Sequence, residues 1–380
     1  MPIPSLPPIT RGSAALALAA LLALAVPAAA QEGAPPPVVD LGEDGYAALV
    51  ATAVDTHLRP AYEQFAATAD LLATDVDGLC KARDAAALAT ARRAFEAAAR
   101  GYFALLPVRI GPILEANRQE RLAFWPDPRG LGLKQVQQIL AKKDATATDP
   151  ATLATKSVGV QGLTALEFLI YGADGDALAS PGGDGDFRCA YAGAAAANVD
   201  RIAHEMFEAW GEGGAATTLM TVPGPKNPLF QTHKEAAGKL VGTVAVGLEI
   251  LADSMVDAPF GPDPERAKPK IAPFWRSGQS LPSVVAALEA TEHLVTVSGV
   301  TEKLDKSQAW LGNAILFELR KAAENARTVT LPIDRAVADK ASRDAMRYVA
   351  VAVSDLKRGI GRDLAAAIGL EQGFNANDGD

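Results

Sequence analysis

The chain has 380 residues, of which 36 are Lys or Arg and 45 are Asp or Glu, for a formal net charge of −9. That balance excludes a general nucleic-acid partner, which needs a basic face against phosphates. Hydrophobic residues make up 49% and aromatics only 6%, so there is ample core material and no compositional case for disorder, and the abundant alanine favours closely packed helices.

Residues 1–30 read as a secretory signal, with Arg11, the apolar run Ala14–Val26, Pro27, and Ala28-Ala29-Ala30 as an A-x-A end. The run is shorter than the about 20 residues a membrane anchor needs, and no later uncharged stretch reaches that length. The expected product is exported, periplasmic in a Gram-negative source, with no transmembrane segment after cleavage near Ala30. In an oxidising compartment Cys80 and Cys189 are most simply a disulfide, with two buried free thiols as the alternative.

Residues 31–43, with Pro35-Pro36-Pro37, form an extended leader. A long helix follows, its apolar stripe at Leu58, Tyr62, Phe65, Ala69, Leu72 and Val76, with Pro60 predicting a kink or restart. Asp84 suits the N-cap of a second helix carrying Leu88, Ala91, Phe95, Ala98, Tyr102 and Leu106 on one face. Residues 107–132 are punctuated by Gly111-Pro112, Trp125-Pro126 and Pro128, too often for a single helix. Helices are expected over about 133–143 and 153–171, and the Gly-rich stretch 172–186 is the best domain junction. Beyond it, helices are expected over about 187–212, 230–255, 282–297, 302–325 and 334–366, the last with Met346, Val349, Val353, Leu356, Ile360 and Leu364 on one face. The fold class is therefore all-α, two helical bundles packed together, spanning 44–180 and 181–380.

The segment Ser157–Tyr171 is apolar apart from Ser157, Gln161, Thr164, Glu167 and Tyr171, a narrow polar stripe on a buried helix. A buried carboxylate must be paired, protonated or metal-bound, so Glu167 is the leading candidate residue, and Gly162 permits close backbone approach beside it. Arg109, Arg118 and Arg121 are its natural partners, with Asp127 interleaved; the bland alternative is an ion pair that only fixes packing. The four histidines His57, His204, His233 and His293 offer no pair at i, i+3 or i, i+4 and read as surface or capping residues. His204-Glu205 starts like the zinc-peptidase H-E-x-x-H, but Glu208 stands where the second histidine belongs. The tail Gly373–Asp380 groups acidic and polar residues around glycine and reads as a frayed terminus.

In order along the chain, Arg109-Ile110-Gly111-Pro112, Arg121-Leu122-Ala123-Phe124-Trp125-Pro126-Asp127, Gln161–Glu167, Phe274-Trp275-Arg276-Ser277-Gly278 and the Gly-Phe-Asn tail resemble the imelysin family of bacterial envelope proteins, also classed as M75 peptidases. The resemblance implies two helical bundles with a pocket at their interface, a Cys80–Cys189 disulfide and a link to iron or metal uptake. The family motif G-x-H-x-x-E is matched at Gly162 and Glu167, but Thr164 replaces the histidine, one of the two proposed metal ligands. The resemblance therefore implies a non-catalytic protein binding a metal-related or small ligand, with Arg109, Arg121, Asp127, Gln161, Gly162, Thr164 and Glu167 lining the pocket. Glu167 would be the ligand to any metal ion, iron or another divalent cation, and envelope uptake proteins would be partners. The alternatives are an envelope scaffold whose polar stripe is structural and an M75-type metallopeptidase.

Overall fold

A proline inside a helix has no N–H to donate, and its ring crowds the carbonyl four residues back. The computed structural model, which describes residues 37–370, resolves this at Pro60 without ending the helix. Helix α1 (Gly42–Ala53) runs into a π-helical turn at Val54–Leu58 and on into α2 (Arg59–Ala82). The wider turn takes up the misfit. The helix thus begins at Gly42, earlier than the stripe from Leu58 suggests. The expected leader is described only from residue 37, and residues 37–41 are non-helical. The signal segment and the 371–380 tail lie outside the described residues.

Tyr62, Phe65, Ala69, Leu72 and Val76 are all 1% exposed or less, as their 3.6-residue spacing requires. Arg83, in the left-handed conformation, ends α2. The Asp84 carboxylate then accepts the Ala87 N–H at 2.8 Å and starts α3 (Ala85–Ala104), a cap worth about 1 kcal/mol. Asp127 does the same for α4 (Leu131–Lys142), accepting from the N–H groups of Leu131 at 2.8 Å and Gly132 at 2.9 Å.

The single helix expected over 153–171 is not formed. A helical turn at Pro150–Leu153 and a 3₁₀ turn at Val158–Val160 precede α5 (Leu163–Tyr171). Gly162 is extended at the N-cap of α5, and a Cβ there would lie 2.1 Å from the Arg121 carbonyl oxygen. Another strand of backbone crosses where a continuous helix would place a side chain, so Ser157 and Gln161 leave the stripe and only Thr164, Glu167 and Tyr171 share a helix.

The chain continues through α6 (Asp184–Trp210), α7 (His233–Glu249), α8 (Ser280–Val297), α9 (Ala309–Thr328) and α10 (Lys340–Arg358). Two of these helices run on into π turns, α7 at Ile250–Asp257 and α10 at Gly359–Leu364. The six stripe residues Met346 to Leu364 are all 2% exposed or less. Helices α2, α3, α5 and α6 pack together, α7 to α10 form a second group with α1 lying on α7, and α3 meets α8 between the groups. The all-helical fold read from the sequence holds, with no strand among the described residues, and its two groups of helices divide elsewhere than at 180/181, since α6 packs on α2 and α1 on α7. The Cys80–Cys189 disulfide, also expected, ties the end of α2 to α6. Among the described residues no helix is long and apolar enough to cross a membrane.

Candidate functional site around Glu167

Glu167 is 1% exposed on α5, and its partners come from a turn that precedes α8. Its Oε1 accepts the Ser277 N–H at 2.9 Å and the Ser277 hydroxyl at 3.0 Å. Its Oε2 lies 3.8 Å from Arg276 Nη1. Burial raises the Glu167 pKa above the ordinary carboxylate value, opposed by the Ser277 N–H and then by the Arg276 charge. The turn is shaped by positive φ at Phe274 (52°) and Gly278 (73°) and closed by Gln279 N–H donating to the Phe274 carbonyl at 3.0 Å. Arg276 stacks over Trp275, 4.4 Å from the ring centroid, and over Phe168 at 5.5 Å.

Beside this contact is a cavity of about 200 Å³, with Asp127, Thr164, Glu167, Lys270 and Arg276 among its lining residues and Phe124, Trp125, Phe168, Phe274 and Trp275 as its aromatic walls. Trp125 is tied to the far wall by its Nε1–H, which donates to the Ile271 carbonyl at 2.8 Å. The Thr164 hydroxyl is buried and has no hydrogen-bond partner. Asp127 is committed to capping α4. Lys270 lies over Trp275 at 5.4 Å. The groups left to meet a ligand are the Thr164 hydroxyl, the weakly engaged Glu167 Oε2, and the two cations.

Three sequence candidates therefore share one cavity: Asp127, Thr164 and Glu167. The others do not line it. Gln161 is an internal brace, its Oε1 accepting from Arg121 Nε at 3.1 Å and Asn198 Nδ2 at 3.2 Å while its Nε2 donates to the Lys156 carbonyl at 2.6 Å. Gly162 provides the close approach expected of it, to the Arg121–Leu122 backbone. Arg118 pairs with Glu115 and Glu205, both at 3.4 Å. Arg109 lines a different cavity, with Tyr102, Gln119 and Ser254. None of the 107–132 arginines partners Glu167; Arg276 does, from a segment distant in sequence.

The sequence also hid a histidine pair. His57 in the π turn is 4% exposed, and its Nδ1 lies 2.9 Å from Nδ1 of His293 on α8. His57 is thus neither a surface nor a capping residue. His233 does open α7, its N–H donating to Glu43 at 2.9 Å, and His204 sits on the surface beside Asp200 at 2.9 Å.

The family model for imelysin, peptidase M75, matches residues 58–360. The chain belongs to the imelysin family. Its fold is similar to an imelysin-like protein from Psychrobacter arcticum 273-4, with TM-score 0.73 and 18% identity, covering 89% of this chain and 99% of that one. It is also similar to a protein described as a candidate iron-regulated protein A precursor from Parabacteroides distasonis ATCC 8503, with TM-score 0.67 and 14% identity, covering 86% of this chain and 97% of that one. No curated protein matches the sequence. In this imelysin the motif position Thr164 offers a hydroxyl in place of imidazole, a poor donor to iron, copper or zinc. Glu167 Oε1 is already taken by Ser277, and Arg276 repels a cation. Among the described residues no group of three or more His, Cys, Asp or Glu is placed to hold a metal ion. The residues present do not fit a bare ion.

Proposed function

We propose that this imelysin is exported and serves as a non-catalytic binding protein whose Glu167 cavity holds a small polar or anionic ligand, a metal chelate included. The observation that carries this reading is one aromatic-sided cavity lined by the cations Arg276 and Lys270 and by Thr164, whose buried hydroxyl has no partner. Cations and a hydroxyl suit carboxylate or other oxyanion groups. The cavity has no histidine and no cysteine, and Ser277, the hydroxyl next to Glu167, does not line it, so an activated nucleophile or metal-bound water has no obvious source. The iron-related name of one structural neighbour supports a setting in iron uptake, with envelope uptake proteins as partners.

A specific observation favours a second reading. Glu167 binds the Ser277 N–H and hydroxyl as a cap would, which suits a scaffold whose buried carboxylate only holds the 274–278 turn.

Calorimetric titration separates the two. Citrate, ferric citrate and the ions Fe²⁺, Cu²⁺, Zn²⁺ and Ca²⁺ are titrated into the wild-type protein and into the Thr164→Val and Arg276→Gln variants. Saturable binding of citrate or its ferric complex, weakened in both variants, is expected. Stoichiometric binding of a bare ion, lost in Glu167→Ala, would refute the ligand class. No binding of any probe would leave the scaffold reading.

A further inference from the structure

Arg109 follows α3 in the irregular 107–132 stretch, held by backbone hydrogen bonds with the Thr243 hydroxyl, which accepts the Arg109 N–H at 3.1 Å and donates to its carbonyl at 3.3 Å. Its guanidinium is largely desolvated, and burial lowers its pKa. Yet it makes no hydrogen bond or ion pair with any described residue. Among the described residues Glu120 is the carboxylate that acts on it, from beyond ion-pair distance. A guanidinium has five donors in a rigid fork, and withdrawing such a charge from water without a partner is unfavourable.

Arg109 borders open space as well as protein. It lines a cavity of about 110 Å³, distinct from the one at Glu167, with Trp125 as the wall common to both. The volume is several times that of one water. Phe103, Leu105, Leu106, Ile113 and Ile250 supply apolar wall, and Tyr102, Gln119 and Ser254 supply neutral polar groups. Tyr102 keeps its proton, its pKa pushed up to about 12 by burial.

One cation against hydrocarbon walls selects among anions. Phosphate or a dicarboxylate would bring a second negative charge with no second cation to meet it, and toward Glu120. A monocarboxylate leaves one charge for the fork to bind through two N–H donors, and its carbon body replaces water against the leucines, isoleucines and rings. We propose that this second cavity binds a small apolar monocarboxylate, its carboxylate held by Arg109 and its aliphatic or aromatic body against Phe103, Leu106 and Ile250. The site does not depend on what occupies the Glu167 cavity.

Ligand-observed NMR and calorimetry with benzoate and hexanoate test it on the purified protein. Saturable binding is expected for both, with the neutral isostere benzamide and inorganic phosphate weaker by at least about tenfold. Arg109→Gln should weaken benzoate by at least about tenfold, and Arg109→Lys, which keeps the charge but loses the fork, by less. Ile250→Phe, which fills the cavity and leaves the arginine in place, should also abolish binding, so the test survives misfolding of an Arg109 variant. Circular dichroism checks each fold. Absence of saturable binding by wild type at millimolar benzoate would overturn the proposal, as would affinity unchanged in folded Arg109→Gln. Loss in Arg276→Gln alone would place the carboxylate in the other cavity and also overturn it.

Discussion

The His57–His293 contact makes a quantitative prediction about acid. Burial, and then the neighbouring His293, lower the His57 pKa from the ordinary 6.5 to about 4. The unfolded chain takes up this proton as pH falls through 6.5, whereas the folded protein resists until about 4, so acid favours the unfolded state between those values. The stabilisation is complete above about pH 6.5 and is lost progressively toward pH 4. At pH 5 nearly every unfolded His57 is protonated against about a tenth of the folded molecules, a loss of about 2 kcal/mol relative to pH 7. Glu167 works in the opposite sense: its raised pKa lets the folded state bind a proton first, so its contribution to stability grows as pH falls. A raw profile mixes the two. The informative quantity is the difference between wild type and His57→Asn, from urea unfolding at about pH 7 and about pH 5. It should shift by about 2 kcal/mol in favour of the variant at the lower pH. A difference that stays constant with pH would refute the reasoning.

Two further outcomes follow from the packing. Gly162→Ala would force a Cβ to 2.1 Å from the Arg121 carbonyl oxygen and 2.3 Å from that of Leu122; because both are backbone atoms with no rotamer to yield, the loss should exceed about 3 kcal/mol in urea unfolding. The Cys80–Cys189 bond spans a sequence separation of 109, so the double variant Cys80→Ala/Cys189→Ala should lose up to about 5 kcal/mol on the chain-entropy account, and added reductant should lower the unfolding midpoint of wild type but not of that variant.

What could be read from the sequence follows how local each determinant is. The stripes of α2, α3 and α10 were legible because a 3.6-residue repeat can be buried in only one way, and Asp84 because a cap is settled within four residues. The break before α5 was not, since Val158–Leu166 is nearly as apolar as a helix interior and is interrupted by backbone approaching at Gly159 and Gly162 from Gly132 and Arg121–Leu122. Glu167 stands out in the sequence as a buried charge that needs a partner, but sequence proximity points to the 107–132 arginines. Arg276 and Ser277 stand in a stretch that carries the family resemblance; an Arg-Ser pair before a glycine is the chemical signal there. The His57–His293 contact joins residues separated by 236 positions, and no spacing rule connects them.

The disulfide also gives the covalent chain an unusual drawing: a closed ring from Cys80 to Cys189 with two tails. Both cavities straddle that division. Arg109, Trp125, Thr164 and Glu167 are ring residues, while Ile250, Lys270 and Arg276 belong to the C-terminal tail. A protease that cuts once inside the ring, for instance in the exposed turns around Thr148, leaves every residue still joined to one molecule, so the nicked protein travels as a single species until a thiol is added. A single cut between α6 and α7 instead separates the two walls of each site at once.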